Sequence, residues 1–204
     1  MNWNKQEVQE AFISRLIHGA PTTMYNIGVG PKSEYLTLKT IYPNMNIFGC
    51  EPLASEYKGL RRRFNGKLHE VAIGEKTGKA EISYHRDAMM GASILRPVEA
   101  ADCTKTVKVI TLDEFDELCG KPDRILLWAD IEGMELSMLK SGPKLLDSGR
   151  VRWINLEEHL DNTGDRENIQ YLLEKFAFRR IMTYNKHQKH NDVVYVHNGE
   201  QGRK

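Results

Sequence analysis

The sequence predicts a three-layer α/β domain, with a mainly parallel sheet between helices and an antiparallel hairpin at its C-terminal edge. Three observations predict it. Short apolar runs alternate with polar, helix-compatible stretches between residues 24 and 156. The first run ends in the small-residue turn Asn26-Ile27-Gly28-Val29-Gly30. Two β-type runs, 178–184 and 192–196, are joined only by the polar turn 185–191.

Taken in order, Val8, Phe12, Leu16 and Ile17 recur at helical spacing, and Gly19-Ala20-Pro21 should end the helix they form. Residues 1–20 are therefore expected as an N-terminal helix packed on the domain, 21–198 as the domain itself and 199–204 as a disordered tail. Parallel strands are expected at 24–29, 47–51, 68–73, 125–131 and 151–156, and helices near 34–41, 55–64 and 135–146. Segments 78–84 and 106–111 alternate or favour β-branched residues, so a further pair of short strands should flank a mobile loop over 88–105. The sequence has no internal repeat or low-complexity tract.

Composition narrows the function classes. A chain of 204 residues with 40% apolar and 28% charged residues fits one soluble domain. Lysine plus arginine number 29 against 28 acids, so no net field draws the molecule to nucleic acid or to an anionic membrane. The basic clusters Arg61-Arg62-Arg63 and Arg179-Arg180 lack neighbouring stacking aromatics and read as solvated faces. Cys50, Cys103 and Cys119 are odd in number and lack metal-type spacing, which argues against a disulfide framework and a structural zinc site. Reduced thiols, a hydrophilic start and the lack of an 18-residue apolar run lead to the expectation of a cytoplasmic protein with no signal peptide and no membrane contact.

The turn after the first strand is where chemistry enters. Gly28 and Gly30 let the backbone approach a ligand and a helix begin beneath it. Glu51 closes the second apolar strand roughly 20 residues later, where a carboxylate accepts hydrogen bonds from both ribose hydroxyls of an adenosine ligand. A nicotinamide dinucleotide needs a third glycine to cradle its pyrophosphate, but Lys32 and Ser33 stand there instead. A cofactor with an amino-acid tail tolerates those side chains, which favours S-adenosylmethionine.

From Tyr25 to about His197 the chain resembles the FkbM family of methyltransferases. The resemblance rests on the Asn26 to Gly30 turn, Phe48-Gly49-Cys50-Glu51-Pro52, His69 to Gly74, Gly91 to Leu95, Thr111 to Phe115, and above all Asp130-Ile131-Glu132-Gly133-Met134-Glu135. It implies a Rossmann-like class I methyltransferase fold of seven strands and O-methylation of hydroxyl groups, often on sugars or glycosylated metabolites. It also implies a cofactor site with the Gly28–Gly30 turn beneath the methionine tail, Glu51 and Pro52 at the ribose, and Val71 and Ala72 beside the adenine. Where the family generally has aspartate, this chain has Asn26, which keeps hydrogen bonding but loses the charge that attracts the methionine ammonium group. With little chain outside the domain, acceptor choice is expected from the 84–105 segment, the first helix and the later strand tips.

In open α/β sheets ligands sit at the carboxyl ends of the strands, so Gly28, Glu51, Ala72, Asp130 and Glu157 should converge on one edge. Methyl transfer from a sulfonium needs positioning and a base for the acceptor hydroxyl. Asp130, Glu132 and His159 are the catalytic candidates, Asp130 first because it ends an apolar strand at that edge. The cofactor-binding set is Asn26, Gly28, Gly30, Glu51, Pro52, Ala72 and Asp130. A structural alternative has Asp130 and Glu132 favouring the start of the following helix, where acids are stabilising without catalysis. Asp130, Glu132 and Glu157 holding a hard divalent cation ranks below both, so no metal is assigned. His69, His187 and His190 read as ordinary loop or surface residues. The expected partner is a small-molecule or glycan hydroxyl acceptor. A catalytically silent scaffold and a nucleotide-binding oxidoreductase are the competing readings, the latter requiring a parallel end to the sheet.

Overall fold

Alternation of side chains across buried strands places the core on both faces of the central sheet. In the computed structural model, which describes residues 19–30, 38–39, 42–86, 88–94, 101–159, 163–184 and 190–199, β1 (Thr23–Ile27) and β8 (Ile125–Ala129) are buried at every position. Tyr25, Ile27, Leu127 and Ala129 enter one apolar cluster, while Met24, Leu126 and Trp128 enter the other. That is the period-2 pattern of a sheet covered on both faces.

The main sheet has seven strands. β3 (Lys67–His69), β2 (Asn46–Cys50), β1, β8 and β9 (Val151–His159) run parallel in that spatial order, and β11 (His190–His197) and β10 (Phe178–Tyr184) follow at the edge. β11 is antiparallel to both β9 and β10, so the sheet ends in the expected hairpin. This is the mainly parallel, Rossmann-like seven-stranded order that the sequence led to expect, and the parallel end required by the oxidoreductase reading is not formed. A second, four-stranded sheet has the order β4 (Ala72–Ile73), β7 (Cys103–Ile110), β5 (Gly78–His85), β6 (Ala88–Ser93).

Several expectations are corrected. The strand expected over 68–73 is divided between the two sheets: β3 pairs with β2, whereas β4 pairs with β7. Glu70 stands at the switch, its carboxylate 3.0 Å from Lys105 of β7 and ion-paired to Arg61, so the chain is drawn across to the second sheet there. The helix expected over 55–64 shrinks to α1 (Leu60–Arg63), because residues 52–59 form turns and Gly59 adopts a left-handed φ of 72° just before it. The helix expected over 135–146 breaks into α3 (Glu135–Lys140) and α4 (Pro143–Asp147). Pro143 has no N–H to continue the first helix and disfavours helical backbone at Gly142. The supposed mobile loop over 88–105 contains β6, antiparallel to β5, and the start of β7, with 95–100 outside the described residues.

Among the described residues, two helices have no counterpart among the expected elements. α2 (Leu112–Cys119) begins with a capping box: Thr111 accepts from the Glu114 amide at 3.1 Å while the Glu114 carboxylate accepts from the Thr111 amide at 2.9 Å. α5 (Thr163–Lys175) packs against α3, β9 and β10. The expected helix at the N-terminus and nearly all of 34–41 lie outside the described residues, as do His187 and residues 200–204. Cys50 and Cys119 are buried and Cys103 half-buried, all as free thiols. Among the described residues no helix is long and apolar enough to cross a membrane.

Candidate active site

The carboxyl ends of β1, β2 and β8 meet at one cavity. The register pairs Ile27 of β1 with Cys50 of β2 on one side and with Ala129 of β8 on the other, so residues 28, 51 and 130 leave the sheet side by side. The Gly28 and Val29 amides donate to the Cys50 carbonyl at 3.0 and 3.3 Å, and the Asp130 amide donates to the Ile27 carbonyl at 3.1 Å. Gly28 and Gly30 have φ of 80° and 52°, left-handed values that glycine adopts without Cβ strain.

Glu51 is held on both of its oxygens. It is 6% exposed, and its two carboxylate oxygens accept from different backbone amides, Gly30 N to Oε2 and Leu53 N to Oε1, each at 2.9 Å. Burial pushes its carboxyl above the ordinary value, and these two amides act in the opposite direction. Each oxygen retains a lone pair for a ligand hydroxyl.

Asn26, Gly28, Gly30, Glu51, Pro52, Ala72, Asp130 and Glu132 all line this cavity. These are the whole expected cofactor set and two of the three expected catalytic residues. Its apolar wall comes from Tyr57, Trp128 and Met134 and from the second sheet, through Ile82 and Ala92 with Ile94 just beyond β6. His159, the last residue of β9, lies outside the lining but beside Glu132: Glu132, Glu157 and His159 each offer one ligand-type atom within 4.8 Å of the others. Glu157 thus reaches the same edge through Glu132.

The turn between β8 and α3 is held by a residue that sequence reasoning assigned no role. Glu132 and Gly133 take φ of 55° and 95°, and the buried Glu135 carboxylate reaches back to accept from the Ile131 amide at 3.1 Å. Burial raises Glu135 to about 7, with the Asp130 carboxylate adding to the rise. The cap position of α3 is Met134, which makes no side-chain hydrogen bond. A helix-facing acid three residues after Glu132 was the available signal, but its backward reach depends on the left-handed turn.

Glu157 is raised to about 8, first by burial and then by Asp130, Glu132, Asp192 and Glu135. Register explains the gathering: Leu156 of β9 pairs with Ala129 of β8, and Glu157 pairs with Asp192 of β11. Its oxygens face two imidazoles, His159 Nε2 at 3.5 Å and His190 Nε2 at 3.4 Å. His190 is therefore part of this cluster and not an ordinary surface histidine, because antiparallel pairing sets it opposite His159. His69 likewise packs its ring on Phe115 at 5.8 Å, and burial lowers its imidazole below the ordinary value. Arg180 is no solvated-face residue either, since it lies 3.3 Å from the fully buried Glu158.

Residues 24–190 match the methyltransferase FkbM domain. The chain belongs to the FkbM methyltransferase family. No curated protein matches it. Among solved structures, EvdMO1 is 13% identical with a TM-score of 0.47, covering 95% of this chain and 41% of that one. A precorrin-6y C5,15-methyltransferase from Geobacter metallireducens GS-15 is 16% identical with a TM-score of 0.46, covering 95% and 90%. A ribosomal protein L11 methylase from Lactobacillus delbrueckii subsp. bulgaricus is 14% identical with a TM-score of 0.43, covering 96% and 80%. This FkbM chain thus spans well under half the length of EvdMO1. Its matched segment carries every cavity residue named above.

Proposed function

We propose that this FkbM-family chain transfers a methyl group from S-adenosylmethionine to a hydroxyl of a sugar, glycan or small metabolite. The observation that carries the reading is Glu51, a buried carboxylate fixed by the Gly30 and Leu53 amides at the mouth of the glycine turn. The cavity suits that cofactor: the glycine turn leaves room for an amino-acid tail, since nothing lies within 4 Å of where a Cβ of Gly30 would stand. Three free thiols agree with a reducing, cytoplasmic setting.

In this reading Glu51 accepts the ribose hydroxyls with its remaining lone pairs, Pro52 lies beside it at the ribose, and Val71 and Ala72 border the adenine. Gly28, Gly30 and Asn26 hold the methionine end. The cofactor supplies a sulfonium methyl, whose bond to sulfur breaks as the bond to the acceptor oxygen forms, the sulfur leaving as a neutral thioether. Asp130 takes the proton of the acceptor hydroxyl as general base, since it leaves β8 directly beside Gly28. The apolar wall from Ile82, Ala92 and Ile94 excludes water and contacts the acceptor.

Calorimetric titration with S-adenosylmethionine, S-adenosylhomocysteine and NAD tests the reading. Both methionine cofactors should bind and NAD should not. In Glu51→Gln one of the two amides loses its acceptor and the ribose loses a charged one, so affinity should fall about 10- to 100-fold. Binding of NAD without either methionine cofactor would overturn the assignment. A screen of hydroxylated acceptors with methyl-labelled cofactor then identifies the product class.

A further inference from the structure

We propose that Glu132, Glu157 and His159 form a site for one divalent transition-metal ion of the manganese-to-zinc kind, placed beside the cofactor cavity to receive the acceptor hydroxyl. The role toward the acceptor rests on the methyl-transfer reading, whereas the ion site stands on its own geometry. Its donors come from two chain segments, the left-handed turn after β8 and the end of β9, which the pairing of Ala129 with Leu156 brings together. One donor atom from each residue lies within 4.8 Å of the others.

The histidine carries the argument beyond a group of acids. His159 Nε2 is buried and makes no hydrogen bond, although it stands 3.5 Å from Glu157 Oε2. That distance exceeds an ordinary N–H···O bond. It matches the edge of a tetrahedron, about 3.4 Å, whose centre lies about 2.1 Å from nitrogen and oxygen ligands. A second imidazole, His190 Nε2, stands 3.4 Å from the other Glu157 oxygen. Imidazole mixed with carboxylate suits manganese, iron, cobalt or zinc, whereas calcium and magnesium favour oxygen ligands throughout.

Glu132 belongs both to this cluster and to the cavity lining, so the ion would sit where the acceptor enters. There it would act as a Lewis acid on the acceptor hydroxyl. The O–H bond breaks with its proton going to Asp130, and the freed oxygen pair forms the bond to carbon as the methyl leaves sulfur. Glu132 and His159 then act as ligands and leave proton transfer to Asp130.

The full chain, stripped with a chelator and without cofactor, is titrated with Co2+ and followed by visible absorption and calorimetry. One equivalent should bind with a ligand-field band, and His159→Ala and Glu157→Gln should each weaken it tenfold or more. Circular dichroism and S-adenosylhomocysteine binding on the same samples report the fold and the cofactor site separately. Should either variant fail to fold, the half-buried Glu132→Gln gives the same readout. The absence of saturable Co2+ binding at millimolar concentration, or wild-type affinity in the folded variants, would overturn the ion site. Loss of S-adenosylhomocysteine binding with Co2+ binding intact would instead overturn the methyltransferase reading.

Discussion

Gly28 faces the backbone carbonyl of Asp130 so closely that a Cβ at position 28 would lie 2.1 Å from that oxygen. The contact locks the turn after β1 against the turn after β8, so the glycine turn and the candidate base are one rigid unit. Gly28→Ala meets both a left-handed φ and a backbone clash and should cost about 3 kcal/mol in chemical denaturation, with cofactor binding lost. Gly30 has a left-handed φ but open space around its missing Cβ. Gly30→Ala should therefore cost only about 1–2 kcal/mol while the methyl obstructs the cavity. Equal stability losses in the two variants would refute this division of roles.

Stability away from the cavity depends on Asp116 of α2. It is 3% exposed and accepts from the Tyr25 hydroxyl at 2.8 Å and from Arg150 at 3.0 Å, with a second, shorter Arg150 contact at the other oxygen. It therefore ties α2 to β1 and to the start of β9. Asp116→Ala leaves the Tyr25 phenol without its acceptor and the Arg150 guanidinium with the Pro122 carbonyl but without its carboxylate partner, and should destabilise the fold by about 3 kcal/mol in urea denaturation. S-adenosylhomocysteine affinity of the folded fraction should not change, since Asp116 does not line the cavity. A tenfold change would contradict that separation.

β1, β2, β8 and β9 were legible because each is built on a short apolar run that ends in a glycine or an acid. Asn26 to Gly30, Glu51 and Asp130 followed from that local pattern. Glu135 was not legible, because its reach back to Ile131 needs left-handed backbone at Glu132. His190 required the antiparallel register that sets it against His159, about 30 residues away in sequence, a nonlocal relation. The broken helix at Gly142 and Pro143 was visible in composition, yet the apolar periodicity of 135–146 runs through it and outweighed the breaker.

Glu135 gives the fold a definite pH response. Its carboxyl rises from 4.5 to about 7, chiefly through burial. Between those values the unfolded chain has released this proton and the folded chain retains it. The folded state binds more protons, so stability falls as pH rises through this window and levels off above about 7. The effect is on the order of 3 kcal/mol at most. Glu135→Gln keeps a carbonyl oxygen for the Ile131 amide and removes the ionisable group, so its urea midpoint should fall less steeply than that of the wild type from pH 4.5 to 7. Parallel slopes for the two proteins would show that Glu135 titrates normally.

Asn26 offers the most direct test of where the methionine ammonium group lies. It is 4% exposed and, near the end of β1, lines the cavity that Glu51 and Asp130 also line. Asn26→Asp adds an attraction for an ammonium group and, in the free protein, a repulsion among acids. Both effects favour the bound state relative to the free one. S-adenosylmethionine and S-adenosylhomocysteine, which share that ammonium, should each bind about 3- to 10-fold more tightly by calorimetry, a gain of about 1 kcal/mol. The same repulsion should lower the denaturation midpoint of the unliganded protein, and saturating cofactor should restore it. If affinity stays unchanged while the unliganded protein is destabilised, the added charge lies among the acids but not against the ammonium group, and the methionine end must be held elsewhere than at Asn26.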